Sequence, residues 1–190
     1  MKQFILLLIT AFSLQLHAQE FIPTNTYEVA NRLETKQDAY ASVRFDIVAS
    51  EDASLKIATL SILDLDFFED ITISSLKKPN LDNINEIIKV EINYNSCCNQ
   101  VETHYFMVTE TNESISLPAI ENAYCENATS EIQYIFPAQE LGKNAIILKT
   151  EVSFTEKHTI KDHQILQSFA WNEDHFNNNE SIAYTGIDNN

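Results

Sequence analysis

Glycine is nearly absent: Gly142 and Gly186 are the only two in 190 residues. Loops that cradle phosphate need several glycines, so that backbone amides can approach the ligand closely. A dinucleotide fingerprint, a P-loop and a nucleophile-elbow motif are all missing. Proline is also scarce, at four residues. With so few glycines, turns must rely on asparagine, aspartate and proline, the first two tolerating the left-handed conformation better than other non-glycine residues. Positive charge is short as well. Twelve lysines and arginines face 28 acids, for a formal charge of -16. A field of that sign repels phosphate backbones and anionic lipid heads, which argues against nucleic-acid and membrane-surface partners.

A long apolar run is lacking too. Residues 1–18, MKQFILLLITAFSLQLHA, carry one lysine, an apolar stretch from Phe4 to Ile9 that reaches Phe12 and Leu14, and a small residue at Ala18. Thr10, Ser13, Gln15 and His17 interrupt it well short of the roughly 20 apolar residues a membrane span needs. Charge, apolar core and small-residue exit together read as a secretory signal peptide, with Leu16 an imperfect fit to the exit. Cleavage after Ala18 removes Lys2, leaving 11 basic against 28 acidic residues and a formal charge of -17. The expected location is extracytoplasmic, periplasmic or secreted, with no stable membrane insertion after cleavage.

The rest of the chain is rich in strand signals. Ile88, Val90, Ile92 and Tyr94 alternate with Lys89, Glu91 and Asn93, the period of a half-buried strand. Val101 to Thr109 is dense in β-branched and aromatic residues. The short polar stretch NSCCNQ between them predicts an antiparallel hairpin. The same alternation predicts strands at 41–47, 132–136 and 146–155, the last expected to be the longest. Strands at 55–65, 71–76 and 165–171 complete the set. Gln19–Thr26 reads as an exposed lead-in, and 27–36 fits either a short capped helix or a strand. Glu156–His163 reads as a polar turn. About eight strands with short connections predict an all-β fold of mostly antiparallel pairing. A β-sandwich fits best, and a closed or partly open barrel is the alternative. The expected organisation is a signal peptide at 1–18, a single β-rich domain at 19–176 and a polar acidic tail at 177–190.

The three cysteines are Cys97, Cys98 and Cys125. In an oxidising compartment, a disulfide joining Cys125 to Cys97 or Cys98 is expected, leaving one thiol. It closes a loop of about 27 residues, for which the chain-entropy account gives roughly 3–4 kcal/mol. A thiolate nucleophile with His104 as its base is the catalytic reading of the same residues.

Other candidate chemistry is dispersed. His104, His158, His163 and His175 survive cleavage, and none begins a His-Glu-x-x-His zinc motif. His158 and His163 converge on a metal only if they lie in a loop. Asp64, Asp66, Glu69 and Asp70 form an acidic cluster that lacks the glycine of a calcium-binding EF-hand loop, so a strand ending in an acidic turn explains it. Trp171 at a strand end either fills the core or stacks on a sugar. Asn112, Asn127 and Asn179 begin triplets of the glycosylation pattern. No cofactor is implied. With no assembled catalytic motif, the leading expectation is a non-catalytic extracytoplasmic module that binds a partner protein or surface component. The rival is a glycan-binding module or hydrolase built on dispersed carboxylates, of which nothing in the sequence selects two.

Overall fold

The structure, a computed structural model, describes residues 19–37, 40–125, 128–157, 159–172 and 175–176. The proposed signal peptide at 1–18 and the tail at 177–190 lie outside these. The described residues form thirteen strands and no helix. They are β1 (Ile22–Pro23), β2 (Tyr27–Gln37), β3 (Tyr40–Ala49), β4 (Lys56–Ile62), β5 (Phe68–Lys77), β6 (Ile84–Asn95) and β7 (Asn99–Thr109). Then come β8 (Ser114–Ser116), β9 (Ile120–Tyr124), β10 (Ser130–Ile135), β11 (Ile146–Phe154), β12 (Ile160–Asn172) and β13 (His175–Phe176).

All pairing is antiparallel, in three sheets that do not close into a barrel. The central sheet runs β1-β5-β6-β7-β8, with β9 also paired to β7. Both of its faces are covered. On one face Ile87, Tyr105 and Met107 pack with Tyr134, Ile147, Phe169 and Trp171 of the β10–β13 sheet and with Phe136 just after β10. On the other face Ile88, Val90, Ile92, Phe106 and Val108 pack with Phe45, Ile47, Ile57 and Ile62 of the β2–β4 sheet. The result is a β-sandwich with a shared middle layer. Two-sided burial explains why Ile87-Ile88 and Tyr105–Val108 are continuous apolar runs rather than alternations.

One buried polar contact crosses between layers. Tyr27 on β2 donates its phenolic hydroxyl to Glu86 Oε1 on β6 at 2.6 Å. Lys77 on β5 pairs with the other carboxylate oxygen. Glu86 is almost fully buried, so these two partners offset the desolvation of its charge.

The structure decides one open expectation and corrects others. Residues 27–36 are strand, bent by a bulge at Asn31 and Arg32 that leaves Leu33 exposed. The lead-in is exposed over most of its length, as expected, but it is anchored. Phe21 packs edge-on against Tyr105 and Phe136, and β1 pairs with β5. The longest strand is β12 at 13 residues, while β11 has nine. β12 starts at Ile160, inside the stretch read as a turn, because its first half is polar on both sides and carries no alternation. A bulge opposite Lys149 and Thr150 skips Leu166. It sends Ile165 to the outer face, beside Leu148 and Val152, instead of the face of Phe169 and Trp171.

Asparagine takes over the turn role of glycine. Asn31, Asn80, Asn83 and Asn112 all have positive φ. Gly142 is where no side chain fits, because a Cβ there would clash with the Phe136 carbonyl oxygen.

Candidate functional site

The site is built around the tip of the β6–β7 hairpin. Asn95 pairs with Asn99, so residues 96–98 make the turn. On its far edge β7 takes up β9, with Asn99 opposite Tyr124. Extending that register by one step sets Cys98 against Cys125, and these two form a disulfide with Cα atoms 4.6 Å apart. Cys97 is one residue out of register and is exposed and free. Side chains alternate across a strand, so only one cysteine of an adjacent pair can face a given partner.

The same register has an electrostatic consequence. Glu102 on β7 stands directly opposite Glu121 on β9. Opposed like charges on one sheet face repel. Glu102 is braced against this. His104 Nε2 lies 2.9 Å from its Oε1, and Tyr94 donates to its Oε2 at 3.4 Å. His104 is in turn stacked on Phe106, with rings 6.3 Å apart and nearly parallel. The hydrogen bond from His104 holds the Glu102 carboxyl below its usual range, against the opposing effect of burial. Tyr94 moves the other way, to about 12, through burial first and then the charges of Glu102, Asp64 and Glu121. Glu121 and Asp64 make no hydrogen bond or ion pair with any of the described residues.

These acids line an open cleft of about 440 Å³ between the end of β4, the segment that follows it, and the β6–β7–β9 edge. Leu63 and Phe67 form its apolar wall and are 74% and 47% exposed. Exposed large apolar side chains that share one cleft mark a candidate interaction surface. Among the described residues no lysine or arginine lines it. The cleft therefore offers ionised acceptors, one of them fixed in orientation, beside exposed apolar surface.

The other candidates lie apart from the cleft or have structural roles. Trp171 is 6% exposed, in the core, and donates its indole N–H to the Asp82 carbonyl at 2.8 Å. It is not a surface platform for sugars. Cys98 is in the disulfide and so is no nucleophile, Cys97 is an exposed thiol in the hairpin turn, and His104 pairs with Glu102. His163 lies on β12, and His158 is outside the described residues. Of the acidic cluster, Asp64 enters the cleft, whereas Asp70 accepts from Asn93 at 2.5 Å. Among the described residues no three His, Cys, Asp or Glu side chains come close enough to share a metal ion. Asn112 sits in the β7–β8 turn, while Asn127 and Asn179 fall outside the described residues.

Sequence reasoning did not find Leu63, Phe67, Tyr94, Glu102 and Glu121. Their one local signal was Phe67-Phe68, two bulky aromatics inside an acidic turn, where a solvated loop has no use for them. Glu121 left no signal, because its meaning comes from a partner 19 positions earlier on β7. Against known proteins, the chain matches no family model, no curated protein and no solved structure.

Proposed function

We propose that this protein is a non-catalytic extracytoplasmic binding module, periplasmic or secreted, that engages a partner protein through the hairpin-tip cleft. The observation that carries this reading is the exposure of Leu63 and Phe67 at the mouth of a cleft whose floor is fixed by a disulfide-clamped sheet edge. Exposed apolar surface rimmed by polar groups is typical of interaction sites. A disulfide fits an oxidising compartment. The test is site-specific photocrosslinking in the producing cells. A benzophenone side chain at Phe67 is expected to trap one discrete partner band. The same group at Thr72, exposed on the central sheet away from the cleft, is expected to trap none. Equal labelling from both positions, or none from Phe67, overturns the reading.

A second reading is favoured by one observation, the opposed carboxylates Glu102 and Glu121 in the same cleft. Carboxylate pairs serve glycoside hydrolysis, and acids beside aromatics also bind sugars. Turnover of aryl glycosides that disappears in Glu102→Gln, with Phe67 crosslinking absent, would establish this rival.

A further inference from the structure

Resting on the proposal that the hairpin-tip cleft is a protein contact site, we infer that its occupant is a partner segment presenting an arginine next to an apolar side chain. Three features converge on that chemistry. The first is charge. Asp64, Glu102 and Glu121 line the cleft, and no cationic side chain of the described residues lines it with them. A guanidinium between Glu102 and Glu121 converts a repulsive cross-strand pair into two attractive contacts.

The second is orientation. Glu102 is held by His104 on one oxygen and by Tyr94 on the other, and it remains ionised. A fixed carboxylate suits the planar, forked donor set of arginine better than the single rotating ammonium of lysine. The rings of Tyr94 and Phe67 add faces over which a cation is attracted. The third is the apolar wall. Leu63 and Phe67 give a neighbouring leucine-like side chain a place to leave water. A free metal ion or a polyamine satisfies the charge and leaves that wall uncovered. The space, about 440 Å³, is at the lower end of ligand-sized cavities and holds two side chains.

The probes are three acetylated, amidated hexapeptides. One alternates arginine with leucine, one carries glutamate in place of arginine, and one carries glutamine. Each is titrated by NMR into the purified protein, isotopically labelled and with its disulfide intact, at pH 7.5. The arginine peptide is expected to shift the amides of Leu63, Phe67, Glu102 and Glu121, and the glutamate peptide to shift none. Glu121→Gln and Glu102→Gln are each expected to weaken the arginine peptide by roughly fivefold, the upper part of the range for exposed ion pairs. Raising the salt should weaken it further. Equal binding of the glutamine peptide at the same amides overturns the arginine assignment and leaves the cleft as the contact site. Shifts outside the cleft, or none with any peptide, overturn the inference, while Phe67 crosslinking separately decides the reading beneath it.

Discussion

Glu102 and Glu121 face each other in register across β7 and β9, two carboxylates on one sheet face with no cation of the described residues between them. A free protein gains nothing from this arrangement, since opposed like charges cost a few tenths of a kcal/mol or more. The β9 strand is short, at five residues, and its place beside β7 is fixed by the Cys98–Cys125 bond at its end. The disulfide thus does more than restrict the unfolded chain. It also fixes β9 beside β7 and so sets Glu102 opposite Glu121. Local destabilisation of this kind is common where a surface is kept ready for a ligand.

The disulfide gives the first prediction. Cys125→Ala is expected to lower stability by roughly 3–4 kcal/mol under oxidising conditions, the value for a loop of this length. Added reductant should abolish the difference from the parent protein. Cys97→Ser should change little, because Cys97 is exposed and unbonded. Non-reducing peptide mapping checks the pairing directly, and recovery of Cys97 in the bond contradicts it.

The contact between layers gives the second. Tyr27→Phe removes the hydroxyl that reaches buried Glu86. Hydrogen bonds to charged groups contribute about 1.5–3 kcal/mol, so urea unfolding of the variant should show a loss of that order. The Tyr27→Phe/Glu86→Gln double variant should lose less than the sum of the two single changes, because each removes the other's partner. Strict additivity would mean the contact does not carry the coupling.

Alkaline pH gives the third. Tyr27, Tyr105 and Tyr124 are pushed well above the usual tyrosine range, burial being the largest cause in each, and Tyr94 and Tyr134 reach about 12. A group whose folded pKa is raised keeps its proton better in the folded state. Its contribution is complete below the unfolded pKa and declines as pH rises towards the folded value. Stability should therefore be steady up to about pH 10, the ordinary tyrosine value, and fall steeply above it. Absorbance of ionised tyrosine should rise together with unfolding rather than before it. Early ionisation of most tyrosines in a still-folded protein would contradict the burial described.

Gly142 gives the fourth. Gly142→Ala forces a methyl carbon against the carbonyl oxygens of Phe136 and Pro137, which are backbone and have little room to move. A loss of about 1–3 kcal/mol is expected, the usual cost of overpacking. A thermal midpoint equal to that of the parent protein would show that the 137–142 turn can open without cost.

The strands that alternate were legible because alternation is their cause. In β6, Ile88, Val90 and Ile92 face one layer while Lys89 and Glu91 face the other, and the pattern is plain in the sequence. The middle position of the central sheet was written less openly, in the doublet Ile87-Ile88 and the run Tyr105–Val108. Those runs require cover on two sides. Short strands escaped. In β9 only Ile120 is buried, so its own residues specify neither strand nor register, and its partner β7 supplies both. The first half of β12 escaped for the same reason. The cleft was illegible because Asp64, Glu102 and Glu121 come from separate segments. Only the hairpin, the β9 register and the disulfide bring them together. The cysteine ambiguity had the same origin, since Cys97 and Cys98 are equivalent in sequence and are distinguished by strand parity alone.

The most direct measurement pairs thermal unfolding with arginine-peptide titration on a single variant, Glu121→Gln, at low salt. Removing one of two opposed charges should raise the midpoint by about 0.5–2 °C, as expected for a few tenths of a kcal/mol in a chain of this size. The same change should weaken the peptide severalfold. A midpoint that rises while affinity falls is the signature of a surface that sacrifices stability for recognition. A midpoint that drops, or an affinity that does not change, would contradict the account.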